Sequence, residues 1–208
     1  SRDQYTAEQI TLAEKFRETA NANAQLENVQ PGYPNGTTFA DGSPLTWCNE
    51  KLLHDNKAML GAGNYEKMVE GGRRANHIGM NLAQNYPELG SGLEAQHFAN
   101  MGLQVRAAWI HPDAYILGAD DANSGHVASV VSNYGLYDPR RGPRISQAGQ
   151  RNGEMWAVQG FPNSAKHPQR FENTRYYWVM PDNLLEGYIT TTRLIEPYMP
   201  NGINWSER

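Results

Sequence analysis

Residues 104–131, QVRAAWIHPDAYILGADDANSGHVASVV, begin and end with strand-like segments and mark where the chain changes from helical to β-rich sequence. The segments QVRAAWI and HVASVV are short, contain β-branched or aromatic residues, and are separated by the turn signal DDANSG. Three further segments of this kind follow, RISQAG, EMWAVQGF and TRYYWVM, with turns that contain Gly, Pro or Asn between them. Together they predict a sheet of about five strands after residue 102.

The chain before this region has the apolar spacing of helices. Within residues 6–24, Thr6 is the predicted N-cap, and the apolar residues expected on one face are Ile10, Leu12, Ala13, Phe16 and Ala20. Further helices are predicted from residue 48 onward, over residues 65–85 and over residues 93–101. Helices followed by a run of strands are typical of an α+β domain, so we expect N-terminal helices packed on a largely antiparallel sheet.

The chain has 208 residues, a length that suits a single domain. We divide it into an N-terminal helical extension (1–36), a core (37–180) and a C-terminal extension (181–208) with a short helix and an irregular tail. Apolar residues make up 39% and charged residues 19% of the chain, a composition typical of a folded protein. A formal net charge of −4 argues against a nucleic-acid-binding protein, and no apolar stretch is long enough to cross a membrane.

One cysteine, Cys48, lies in the segment GSPLTWCNEKLLHDNKAMLG at residues 42–61. A single cysteine excludes an internal disulfide and any zinc site built on several thiolates. The segment predicts a helix with Cys48 in its first turn, where the helix dipole lowers the pKa of a thiol. Cys48 is therefore either a small buried apolar residue or a nucleophile.

A cysteine nucleophile needs a proton-transferring partner, for which histidine is the usual choice. Of the six histidines, His126 alone follows a glycine-containing turn and stands at the first position of a predicted strand. The other five lie in helical segments or directly before a proline: His54, His77, His97, His111 and His167. We therefore expect Cys48 and His126 to form a pair, in the order that papain-like enzymes use for nucleophile and base.

Four short segments resemble the NlpC/P60 and CHAP group of papain-like cysteine peptidases and amidases. They are TWCN at 46–49, FANMGLQVRAAWI at 98–110, SGHVASVV at 124–131 and PRISQAGQRN at 143–152. In that group a cysteine opens a helix and a Gly-His-Val or Gly-His-Ile segment opens the sheet. The resemblance implies a papain-like α+β fold, hydrolysis of amide bonds in bacterial cell-wall peptide, and an extracytoplasmic location (secreted, periplasmic or virion-associated). No signal peptide is visible in the opening SRDQYTAEQ.

The resemblance also implies roles for individual residues. Cys48 is the expected nucleophile and His126 the general base and acid. The group places a polar residue on the next strand to orient the imidazole, and Gln147 occupies that place, with Asn152 as the alternative. Trp47 and Asn152 are expected substrate contacts.

Papain has a glutamine six residues before its cysteine, whereas this chain has Gly42 there. We therefore expect backbone N–H groups, that of Cys48 among them, to bind the oxyanion, and the Tyr33 hydroxyl is a further candidate. No cofactor or metal is predicted.

Two other functions remain open at this stage. The same cysteine and histidine would support an acyltransferase, because an amine can intercept a thioester as well as water can. A non-catalytic binding or structural module with the same fold, for example in a phage particle or an envelope complex, would retain Cys48 as a buried thiol. The expected partner is peptidoglycan or another peptide, with neither nucleic acid nor membrane insertion involved.

Overall fold

The computed structural model describes residues 1–182 and has an α+β architecture. Its helices are α1 (Ala7–Asn23), α2 (Cys48–Leu60), α3 (Ala62–Met68), α4 (Ala75–Asn85), α5 (Gly92–Asn100), α6 (Ala114–Leu117), α7 (Ala157–Gly160) and α8 (Arg170–Asn173). Its strands are β1 (Glu88–Leu89), β2 (Val105–Trp109), β3 (His126–Val130), β4 (Arg144–Gln147), β5 (Gly153–Trp156) and β6 (Arg175–Trp178). A short helix and an irregular tail are predicted from residue 182 onward, and only residue 182 of that segment is among the described residues.

The six strands form one antiparallel sheet in the order β1-β6-β2-β3-β4-β5. The prediction of helices followed by an antiparallel sheet is confirmed. The sheet has one strand more than the five segments suggested, because the two-residue strand β1 pairs with β6. Strand β5 ends at Trp156 and α7 follows directly, so only the first half of EMWAVQGF is extended.

Helix α1 begins as the sequence predicts. The Thr6 hydroxyl accepts a hydrogen bond from the Gln9 backbone N–H, and the Gln9 side chain accepts one from the Thr6 N–H, which forms a capping box. Ala13 and Ala20 are buried where α1 packs on α2 and β4. The expectation for Leu12 is wrong, since its side chain is 42% exposed.

The single helix predicted over residues 65–85 is in fact two helices. Helix α3 ends at Met68 and α4 begins at Ala75, with Gly71 and Gly72 between them. Gly72 has φ +127°, a backbone conformation that disfavours residues with a Cβ. A Cβ there would also lie 2.6 Å from Nδ1 of His77. Gly72 therefore interrupts an otherwise helical pattern and turns the chain.

Helix α2 packs against β3 and β4, with Leu52 and Leu53 in the apolar core. Burying each leucine side chain contributes about 1.5–3 kcal/mol to stability. This helix therefore lies directly against the two strands that carry His126 and Gln147.

A buried ion pair lies on the side of α2 that faces β3 and β4. Lys51 and Asp55 are fully buried, and the Lys51 Nζ lies 2.6 Å from an Asp55 carboxylate oxygen. The Lys51 ammonium also donates to the carbonyl and hydroxyl oxygens of Ser146 on β4, both at 3.0 Å. The Ser129 hydroxyl on β3 donates to Asp55 at 2.6 Å. These hydrogen bonds fasten α2 to both strands.

None of the helices within residues 1–182 combines the length and the apolar character that crossing a bilayer requires.

Candidate active site

Helix α2 begins at Cys48, as predicted, so the thiol lies at the helix N-terminus. The side chain is 6% exposed. Burial raises the pKa of the Cys48 thiol, but the positive charge and hydrogen bond of His126 lower it, and so do the backbone N–H groups of Val127 and Asn49. The net effect is a pKa below the ordinary value of a thiol. The site therefore favours the nucleophilic thiolate.

His126 is the first residue of β3, also as predicted. Its imidazole lies close enough to the Cys48 thiol for each group to shift the pKa of the other. Burial lowers the pKa of His126, whereas the charge of the Cys48 thiolate and hydrogen bonds with Cys48 and Gln147 raise it, and the net shift is upward. Each group of the pair thus stabilises the charged form of the other.

Gln147, the last residue of β4, is the polar residue that reaches this imidazole. Its Oε1 lies 2.6 Å from the Nε2 of His126. Its amide nitrogen donates to the Arg151 carbonyl at 3.0 Å, which turns the amide oxygen toward the histidine. Because an oxygen can only accept there, the histidine Nε2 carries the proton, and Nδ1 remains for exchange with Cys48.

Close packing holds this group of side chains. The Phe161 ring lies edge-on to the His126 imidazole, with ring centroids 4.9 Å apart. At Gly160, a Cβ would lie 2.6 Å from the Gln147 Oε1 and would also collide with Ile145. The absence of a side chain at residue 160 therefore leaves the room that Gln147 occupies. Sequence reasoning did not identify Gly160, since its neighbours are not adjacent in sequence.

Asn152, the alternative to Gln147, has a different position. Its amide nitrogen donates to the backbone carbonyls of Ala24 and Val29 at 3.1 and 2.9 Å. Its amide oxygen accepts from the Gly149 N–H at 3.0 Å. The side chain therefore joins the β4–β5 turn to the segment that follows α1, and the hydrogen bond to the histidine belongs to Gln147.

The other two candidates, Trp47 and Tyr33, contact each other. The Trp47 indole N–H donates to the Tyr33 backbone carbonyl at 3.0 Å. Tyr33 is 37% exposed. The cavity beside the cysteine–histidine pair is lined by Thr46, the residue before Trp47, and the described lining residues do not include Trp47 itself.

This cavity has a volume of about 500 Å³. Its walls include Thr46, His126, Gln147, Gly149, Trp109 and Arg170. None of the described residues that line it is Asp or Glu, whereas two, Arg151 and Arg170, are arginines. A second cavity of about 630 Å³, lined in part by Tyr5, His97 and Tyr134, contains none of the predicted site residues.

An aromatic and cationic cluster flanks the first cavity. Trp109 on β2 pairs in register with His126. The Arg170 guanidinium lies 4.5 Å from the centroid of the Trp109 ring. His167 and His111 contact the same tryptophan, with centroids 4.9 and 5.3 Å from its ring. Sequence reasoning did not find this cluster, because Arg170 follows His126 by a long stretch of chain that carries no signal of their proximity.

The arrangement can support nucleophilic chemistry without a metal. In such chemistry Cys48 can act as a sulfur nucleophile, His126 can carry the proton, and Gln147 can orient the imidazole. In the part of the chain up to residue 182, no three His, Cys, Asp or Glu side chains come close enough together to hold a metal ion. Comparison with the models of known protein families finds no match to this chain, and comparison with curated proteins also finds none.

Proposed function

We propose that the protein is a papain-like cysteine hydrolase that cleaves peptide or amide bonds. Cys48 is the nucleophile, His126 the general base and acid, and Gln147 the positioning residue. The observation that carries the proposal is the chain of contacts from the Cys48 thiol through the His126 imidazole to the Gln147 amide. The three residues come from a helix start, a strand start and the end of the adjacent strand, the order on which papain-like enzymes are built.

The chemistry follows from the protonation states. The thiolate attacks the amide carbonyl carbon, and the carbonyl π electrons move to oxygen, giving a tetrahedral oxyanion. The N–H groups in the first turn of α2, that of Cys48 among them, have no acceptor within the helix. They stabilise the negative charge that develops on the carbonyl oxygen. The imidazolium Nδ1–H protonates the leaving amine as the C–N bond breaks and a thioester remains. Neutral His126 then takes a proton from water, which attacks the thioester and releases the acid and the thiolate.

Bacterial cell-wall peptide is the proposed substrate, and an extracytoplasmic site of action goes with it. Both rest on the resemblance of the segments around Cys48, His126 and Gln147 to the NlpC/P60 and CHAP group. The test is incubation of the protein with purified peptidoglycan, with product masses read by mass spectrometry and Cys48→Ala as the control. New masses that correspond to hydrolysed amide bonds, absent with Cys48→Ala, support the proposal. Identical product profiles for the two proteins would contradict it.

The same experiment separates hydrolysis from acyl transfer. With an added primary amine such as glycinamide, a transferase joins the acyl group to the amine. Its product is heavier than the free acid by the mass of the amine minus that of one water molecule. A hydrolase yields mainly the free acid.

One observation favours a second candidate, a non-catalytic module. Cys48 is only 6% exposed, as expected for a cysteine that serves as a small core residue. Reaction with iodoacetamide at neutral pH distinguishes the two. A non-catalytic core thiol reacts only when the protein unfolds, whereas a catalytic thiolate reacts in the folded protein.

A further inference from the structure

The cavity beside the cysteine–histidine pair contains an arginine without a counter-ion. The Arg170 side chain makes no hydrogen bond or ion pair with any described residue, and its Nε atom is buried without a partner. Its contact is with the face of Trp109, at 4.5 Å. Stacking on an aromatic ring orients a guanidinium but leaves its N–H groups free to bind an oxygen acceptor.

The surroundings of Arg170 do not neutralise it. His111 and His167, which share the Trp109 surface with it, are neutral or cationic in any protonation state. The nearest carboxylate to these histidines, that of Asp113, lies 3.4 Å from Nδ1 of His111 and is hydrogen-bonded by Asn123. Arg151, the second arginine of the cavity wall, also has no side-chain hydrogen bond or ion pair among the described residues.

The lack of a side-chain hydrogen bond or ion pair distinguishes Arg170 and Arg151 from the other arginines within residues 1–182. Some of those pair with carboxylates, for example Arg17 and Arg144 with Glu154, and Arg73 with Glu50. The buried Arg106 donates to the side chains of Asn56 and Gln104. Free guanidinium groups therefore occur in this part of the chain only where the cavity wall is formed.

We propose that Arg170, assisted by Arg151, is an anion-binding subsite that selects acidic peptides, holding a substrate carboxylate next to the Cys48–His126 pair. The inference rests on the proposed function and adds the substrate class to it. A planar guanidinium binds a carboxylate through two parallel N–H···O bonds, which fixes both distance and orientation. The Arg170 guanidinium stacks on Trp109. Trp109 lies directly opposite His126 in the pairing of β2 with β3, so this contact places the guanidinium near the imidazole.

The test compares two small alkylating agents that differ in charge. Iodoacetate carries a carboxylate, whereas iodoacetamide is neutral and corrects for any change in the thiolate population of Cys48. We expect Arg170→Gln to lower the ratio of the iodoacetate rate to the iodoacetamide rate by about fivefold, the effect of one charged contact at a partly exposed site. Arg151→Gln should lower it less, because Arg151 is exposed. Raising the salt concentration should reduce the wild-type ratio toward that of Arg170→Gln.

Two further variants complete the experiment. Arg140→Gln is the matched control, since Arg140 is paired with Asp138 and does not line the cavity. It should leave the ratio unchanged. Arg170→Lys keeps the charge but not the planar fork, so it should lower the ratio less than Arg170→Gln does. If Arg170→Gln folds poorly, the salt dependence of the wild-type ratio still tests the subsite.

The outcomes separate this inference from the proposed function. If folded wild-type protein reacts with neither reagent at neutral pH, the proposed function fails and the subsite fails with it. If Cys48 reacts but Arg170→Gln and added salt leave the ratio unchanged, the nucleophile stands and the anion subsite is refuted.

Discussion

Gln147 determines which nitrogen of His126 faces the thiol. Its Oε1 lies 2.6 Å from the histidine Nε2, and its own amide nitrogen is committed to the Arg151 carbonyl at 3.0 Å. The imidazole therefore keeps a proton on Nε2 in both of its charge states, and in the proposed mechanism Nδ1 is the nitrogen that exchanges a proton with Cys48. Four predictions test this arrangement and the structure that supports it.

The first prediction concerns Gln147 itself. Gln147→Ala should lower kcat, because the imidazole loses the acceptor that orients it. The loss should be smaller than that of Cys48→Ala or His126→Ala, which remove the nucleophile or a general base worth roughly 10²–10⁴-fold. Gln147→Glu should keep the acceptor and, as a carboxylate, raise the pKa of His126. The alkaline limb of the pH–rate profile should then move upward, and kcat equal to wild type in Gln147→Ala would contradict a positioning role.

The second prediction concerns the pH dependence of alkylation. Since His126 lowers the pKa of Cys48 and Cys48 raises that of His126, the thiolate–imidazolium pair should exist well below the free-thiol pKa of about 8.5. The iodoacetamide rate of the folded protein should therefore rise in the acid range.

In His126→Ala, the burial that raises the thiol pKa remains, whereas the two contributions of the histidine that lower it are gone. The onset of alkylation should move upward, to about 8.5 or above. Rates are measured by mass spectrometry across pH. An onset near 8.5 in both proteins would show that the histidine does not act on the thiol.

The third prediction concerns Gly160. In Gly160→Ala the new methyl group would meet Ile145 and the Gln147 Oε1, so either Gln147 or α7 must move. We expect a loss of about 1–3 kcal/mol in the free energy of unfolding, typical of overpacking, together with reduced turnover. Gly71→Ala is the control, because a Cβ at residue 71 has no atom within 4 Å. Urea unfolding and activity are measured for both, and equal behaviour of the two variants would show that Gly160 is not required for packing.

The fourth prediction concerns the buried ion pair behind the cysteine. Lys51→Met should lower the free energy of unfolding by about 3–5 kcal/mol, because it leaves the Asp55 carboxylate buried without its cation. The double variant Lys51→Met/Asp55→Leu should recover much of that loss, since no uncompensated charge remains. Lys57→Met, on the exposed side of the same helix, should change stability by no more than about 0.5 kcal/mol. If the single and double variants were equally destabilised, charge pairing would not be the cause.

Local features of the sequence predicted much of the fold. The start of α1 is set by Thr6 and Gln9, which are three residues apart. The break between α3 and α4 was not predicted, although its cause, the positive φ of Gly72, is also local. Strand segments were recognisable from their composition and their turns. Cys48 at a helix start and His126 at a strand start were also predicted, because each position depends only on a few neighbouring residues.

The contacts that turn those residues into a site are not local, and only the tertiary structure decided them. Lys51 bonds to Ser146 across the core, although a lysine is almost never fully buried unless it is paired. Gln147 and Asn152 both fit the pattern of an orienting residue, and the choice between them came from the hydrogen bonds each one makes. Arg170 lines the cavity and stacks on Trp109, which is distant from it in the sequence. Sequence periodicity reports which side of an element is apolar, whereas the partner of a buried polar group depends on how distant elements pack, and that information has no local signature.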